Sequence, residues 1–119
     1  MAVLYTYEEE RININSEVSL LVVPKSEDCS FWNEVYIETK DGKEFIESYL
    51  TEPGSHEWML YNSKYVAFFS YDPYIPRTFI KNIFDIESRQ MVQGTQEELM
   101  EICKSEFESQ VQKLALRKD

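Results

Sequence analysis

A chain of 119 residues with 43% apolar and 14% aromatic side chains, and only 3 Gly and 4 Pro, holds enough apolar volume for one hydrophobic core. This argues against a disordered chain and sets the expectation of a single domain over residues 1–119. The formal net charge of −10 leaves no basic stripe for phosphate, which argues against direct nucleic-acid binding and against docking on an anionic membrane.

The acidity is uneven. Residues 1–60 hold 13 Asp+Glu against 4 Lys+Arg, whereas residues 61–119 hold 9 against 8. From the start, Ala2 to Tyr7 is rich in β-formers and reads as a strand that runs into the charged Glu8–Arg11 segment. The same start lacks the basic region and apolar core of a signal peptide. The longest apolar runs, Leu20 to Pro24 and Tyr65 to Phe69, fall far short of the roughly 20 residues a spanning helix needs. The expectation is a soluble, cytoplasmic protein that does not cross a membrane. Ile12 and Ile14 share a face of a short extended piece, and Val18 to Val23 is apolar on both faces, predicting a central strand stopped by Pro24. Lys25 to Ser30 then reads as a polar loop ahead of Phe31 and Trp32.

Asn33 to Leu50 is the clearest hairpin, with Asp41-Gly42 suited to a two-residue type I′ turn. That register sets Lys40 opposite Lys43, Glu38 opposite Phe45, Ile37 opposite Ile46 and Val35 opposite Ser48. It predicts a core face of Val35, Ile37, Ile46 and Leu50, and an outward face of Tyr36, Glu38, Phe45, Glu47 and Tyr49. Thr51 to His56, with Pro53-Gly54, is a turn. Glu57 to Tyr61 and Tyr65 to Tyr71 form a second hairpin around Asn62-Ser63-Lys64, and its second strand is too apolar for an exposed edge. Asp72 to Pro76 is a rigid two-proline loop. Thr78 to Val92 fits a helical stripe or a strand pair turning at Glu87-Ser88, and its β-branched and aromatic content favours strands.

Thr95-Gln96-Glu97-Glu98 is a capping box, so a helix starts there. Leu99, Ile102, Cys103, Phe107, Val111 and Leu114 recur as its apolar stripe. Glu97, Glu98 and Glu101 lie early, and Lys113, Arg117 and Lys118 late, as the macrodipole favours. The expected fold class is α+β: about six to eight mainly antiparallel strands packed by one C-terminal amphipathic helix. No internal repeat is apparent.

No motif fixes a reaction. His56 is the only histidine, and a nucleophilic arrangement with Cys29 needs an adjacency that spacing does not supply, so His56 reads as a polar turn residue. Cys103 falls on the helix stripe and reads as core; with Cys29 it is expected to be a free thiol. The carboxylates lack calcium-loop spacing, and 3 scattered glycines make no phosphate-binding loop, so no metal and no cofactor is expected. The aromatic group Trp58, Tyr61, Tyr65, Phe68, Phe69, Tyr71 and Tyr74 is partly core. With 8 tyrosines, several hydroxyls must reach a surface, where Tyr favours interfaces.

The leading expectation is a non-enzymatic acidic protein-binding domain, of inhibitor, immunity or adaptor type. It would recognise a basic partner through an acidic, tyrosine-rich sheet surface containing Tyr36, Glu38, Glu47 and Tyr49, with Tyr71 and Tyr74 near the proline loop. The alternatives are a small-molecule module with a pocket lined by Trp58, Phe68 and Tyr71, and, behind it, an enzyme using carboxylate and tyrosine acid-base chemistry. Homodimerisation through a sheet edge or face is compatible with each.

Overall fold

Alternating apolar and polar residues organise residues 8–108, the part of the chain that the computed structural model describes, into eight antiparallel strands and one helix. The strand expected over Ala2 to Tyr7 lies outside the described residues, as do the helix positions Val111, Lys113, Leu114, Arg117 and Lys118. β1 (Glu10–Asn13), β2 (Ser19–Glu27), β3 (Ser30–Thr39) and β4 (Gly42–Leu50) form a first sheet in that order. β5 (Glu57–Tyr61), β6 (Tyr65–Asp72), β7 (Arg77–Asp85) and β8 (Gln90–Met91) form a second, and α1 (Gln96–Glu106) follows. The stretch Thr51 to His56, with Pro53-Gly54 at its centre, separates β4 from β5 and divides the strands between two sheets.

The two sheets face one another. Leu20, Val22, Val35, Ile37, Ile46 and Tyr49 from the first meet Met59, Val66, Phe68, Phe84 and Ile86 from the second strand set and its last turn in one core. The opposite face of the second sheet presents Trp58, Leu60, Ala67, Phe69, Ile80 and Ile83 to Leu99, Cys103 and Phe107 of the helix segment. Trp58 and Phe69 stack with centroids 5.4 Å apart. Each fully buried side chain of this size contributes about 1.5–3 kcal/mol, so both faces of the second sheet are strongly held. The helix starts as its residues dictate: Thr95 caps the Glu98 amide, and the Glu98 carboxylate accepts from the Thr95 amide at 2.8 Å. Gln96 adds a second anchor, because its amide both accepts from Ile80 N and donates to Ile80 O, as a neighbouring strand would.

Two sequence expectations are corrected in the first sheet. Pro24 does not stop β2: the strand continues to Glu27, pairs Pro24 with Asn33, and turns at Asp28-Cys29, where a loop was expected. Among the described residues the β1 pairing ends at Val22, so from Pro24 onward β2 pairs there with β3 alone, as suits a residue without an N–H. Asp28 takes the left-handed conformation at φ 56, which a short polar side chain accepts.

The β3–β4 register is also shifted. The turn is Lys40-Asp41, with Thr39 opposite Gly42, and Gly42 takes the φ of +124 that its lack of Cβ permits. Glu38 therefore opposes Lys43 and Tyr36 opposes Phe45, which replaces the unfavourable Lys40–Lys43 pair with opposite charges. A bulge at Ile46 then swaps the faces, since side chains alternate with period two. Beyond it Glu47 and Tyr49 turn inward, and Leu50, expected in the core, is 37% exposed.

The remaining elements agree with the sequence reading. β6 is an inner strand, and Thr78 to Val92 is a strand pair, with Asp85 Oδ1 accepting from the amides of Glu87 and Ser88 in the turn. No helix among the described residues is long and apolar enough to cross a membrane.

Candidate interaction surface

The helix covers the second sheet, and the second sheet covers the inner face of the first. Among the described residues, no element packs on the outer face of the first sheet. Strand alternation places Leu21, Val23, Trp32, Glu34, Tyr36, Glu38, Lys43 and Phe45 there. Leu21, flanked in register by Arg11 and Tyr36, is only 3% exposed. Phe45 is 52% exposed and meets Tyr36 edge-on at 5.6 Å.

Polar groups on this face are ordered by one another. Glu34 sits two residues from both Trp32 and Tyr36 on β3, so the three side chains project together. The Tyr36 hydroxyl donates to Glu34 Oε1 at 2.8 Å and the Trp32 indole donates to Oε2 at 3.3 Å. The Tyr36 bond, seconded by Trp32 and the charge of Lys25, holds the Glu34 carboxyl below its ordinary range against the opposing effect of burial. The same bond raises the Tyr36 hydroxyl. Arg11 Nε donates to Glu38 Oε1 at 2.6 Å, lowering the Glu38 carboxyl, and Lys43 Nζ lies 4.9 Å from the Tyr36 ring centroid.

The border of the sheet carries the excess acid. Glu8 and Glu9 lie just before β1, Glu17 and Asp41 at one end of the sheet, and Glu27 and Asp28 at the other; Glu10 and Glu44, also exposed, stand in register with the inward-facing Val22 and Ile37. Residues 8–50 hold 11 Asp+Glu against 4 Lys+Arg. Aromatic side chains thus lie toward the middle of this face and carboxylates toward the margins of the sheet.

Of the residues expected to form the interface, Tyr36 and Glu38 lie on this face. Glu47 and Tyr49 do not: the Ile46 bulge sends them between the sheets, where Glu47 accepts from Asn82 Nδ2 and the Tyr49 hydroxyl accepts from Asn33 Nδ2 at 3.0 Å. Tyr71 packs against the helix-side core beside His56, with ring centroids 5.9 Å apart, and Tyr74 stands 94% exposed in the β6–β7 turn. Trp32 and Glu34 were missed as site residues, although the period-two series Trp32, Glu34, Tyr36, Glu38 contains them.

The pocket expected from Trp58, Phe68 and Tyr71 is not formed, because Trp58 and Phe68 occupy opposite faces of the second sheet. A cleft of about 650 Å³ instead lies at the end of the first sheet, between Pro24, Lys25, Phe31 and Trp32 and the Thr51–Ser55 loop. Cys29 is exposed and Cys103 buried, both as free thiols, and burial pushes the Cys103 thiol up to about 12. Among the described residues, no group of three or more His, Cys, Asp or Glu is placed to hold a metal ion. No family model matches this chain, and neither a curated protein nor a solved structure matches it.

Proposed function

We propose that this protein is a non-enzymatic binding domain of inhibitor, immunity or adaptor type, working in the cytoplasm, that docks a basic protein on the outer face of its first sheet. The observation that carries the reading is the half-buried Tyr36 with the exposed Phe45 on a sheet face that no other described element covers, with exposed carboxylates at the margins of the sheet. The aromatics supply desolvated contact area, while the carboxylates steer a positively charged partner and fix its orientation.

The test is affinity capture from the source cell, identification of the partner, and titration of the purified pair. The expected partner is basic, and its affinity falls about tenfold or more between low and high salt, mostly through the on-rate. Tyr36→Ala/Phe45→Ala weakens it at least about tenfold, as loss of interface anchors does. An acidic partner, salt-independent affinity, or full affinity in the double variant refutes the proposal.

A small-molecule ligand is the second reading, favoured by the 650 Å³ cleft, whose size suits such a ligand and whose walls include Phe31 and Trp32. A ligand bound there raises the melting temperature of the wild type but not of Phe31→Ala.

A further inference from the structure

We infer that Glu34 is the seat of an arginine side chain supplied by the partner; this rests on the reading of the outer sheet face as a docking surface. Three observations lead to it. Glu34 lies among Val23, Trp32 and Tyr36 on that face, so a partner that covers the aromatics also takes Glu34 out of water. Glu34 belongs to neither ion pair found among the described residues, Arg11–Glu38 and Lys81–Glu57, whereas its neighbour Glu38 already has its cation. The Trp32 and Tyr36 bonds approach different oxygens and fix the carboxylate in one orientation, while each oxygen keeps a lone pair for a further donor.

A carboxylate desolvated without a cation is strongly unfavourable, so a partner seated here must bring one. Lys25 is the nearby charge of the chain itself and contributes at longer range than an ion pair. The guanidinium group suits the site better than an ammonium group. Its planar fork places two N–H donors on one carboxylate, and its flat face packs against aromatic rings. Because the carboxylate is already ordered, little side-chain freedom is lost when the fork arrives.

The experiment is a titration of the ¹⁵N-labelled protein with N-acetyl-arginine amide, following the Trp32 indole N–H resonance. Its lysine counterpart and N-acetyl-citrulline amide, the neutral isostere of the arginine probe, serve as comparisons. The arginine probe is expected to move the Trp32 resonance saturably and at least threefold more tightly than the lysine probe. Citrulline, and the arginine probe added to Glu34→Gln, are expected to leave it in place. Equal shifts from citrulline, or an unchanged titration in Glu34→Gln with a native spectrum, overturn the inference.

Partner capture then separates the two levels of the argument. If Tyr36→Ala/Phe45→Ala abolishes capture and Glu34→Gln leaves it intact, the face is an interface and the arginine seat is wrong. If neither variant changes capture, the interface reading itself falls. Loss in both, with at least a tenfold weakening for Glu34→Gln, supports both.

Discussion

Replacing Lys81 with Met removes the cation that ties three strands from both sheets together. Lys81 is the extra residue of a bulge in β7, and its Nζ donates to Glu57 Oε1 on β5 and to the Ser48 carbonyl on β4, each at 3.1 Å. At that separation and an effective dielectric of about 20, the gross attraction to Glu57 is roughly 5 kcal/mol. Most of this is offset by lost hydration, because the two side chains retain only 28% and 17% of their exposure. Surface pairs contribute about 0–1 kcal/mol and severed buried pairs cost about 3–5 kcal/mol, so Lys81→Met is expected to lose about 2 kcal/mol. Glu57→Gln leaves Leu50 N with a weaker acceptor at this junction and should lose a similar amount. Urea unfolding of the wild type, both single variants and the double variant gives the coupling directly, with about 1–2 kcal/mol expected. Additive losses, or a Lys81→Met variant within about 0.3 kcal/mol of wild type, would show that the contact does not clamp the sheets.

Leu99→Ala and Phe107→Ala strip the helix-side core and should each lose about 2–5 kcal/mol by chemical denaturation, with no gain in exposure at Phe68, which lies on the other face. Thr95→Ala should lose about 1 kcal/mol through the missing cap. Glu34, Glu38 and Glu98 all have lowered folded-state pKa values, caused first by Tyr36, by Arg11 and by the Thr95 amide respectively. Their contribution to stability is present above the ordinary glutamate value of 4.5 and is lost as pH falls from there through the lower folded values. Urea midpoints measured against pH should show this loss reduced in Glu98→Gln. In the native protein a thiol reagent should modify Cys29 first, and Cys103, pushed to about 12 by burial, at least about a hundredfold more slowly until the chain unfolds.

The sequence made the element types legible where local chemistry and periodicity agree. The capping box at Thr95, the Asn62 turn, whose side chain accepts from Lys64 N and Tyr65 N, and the apolar run of β6 each carry their own signal. Register was legible only up to the first irregularity. Ile46 and Lys81 are bulge residues with no marker such as glycine, and what they serve is tertiary: one bulge aims Glu47 at Asn82 of the opposing sheet, the other aims Lys81 at Ser48 of the opposing sheet and at Glu57 of its own. Pro24 is a related case, since a proline can stay within a strand where its nitrogen faces away from the paired neighbour, and among the described residues only β3 pairs with β2 there. The site was half visible: Tyr36 and Glu38 follow from alternation, as Glu34 does in the same expected strand, while Tyr49 moved inside and Trp32 joined the face because β3 starts at Ser30 rather than at Asn33.

Both sheets are simple meanders, in which every hydrogen-bonded neighbour is also the next strand along the chain. Each ladder can therefore zip from its own turn while closing only a short loop, and α1 follows directly on the sheet it covers. Distant parts of the chain are joined where the two sheets meet through Leu20, Val22, Val35, Phe68 and Phe84, and where the helix segment returns to β5 and β6 through Leu99, Cys103 and Phe107. Assembly is thus a problem of mating two greasy plates rather than of threading strands, since no strand has to enter between two that are already paired.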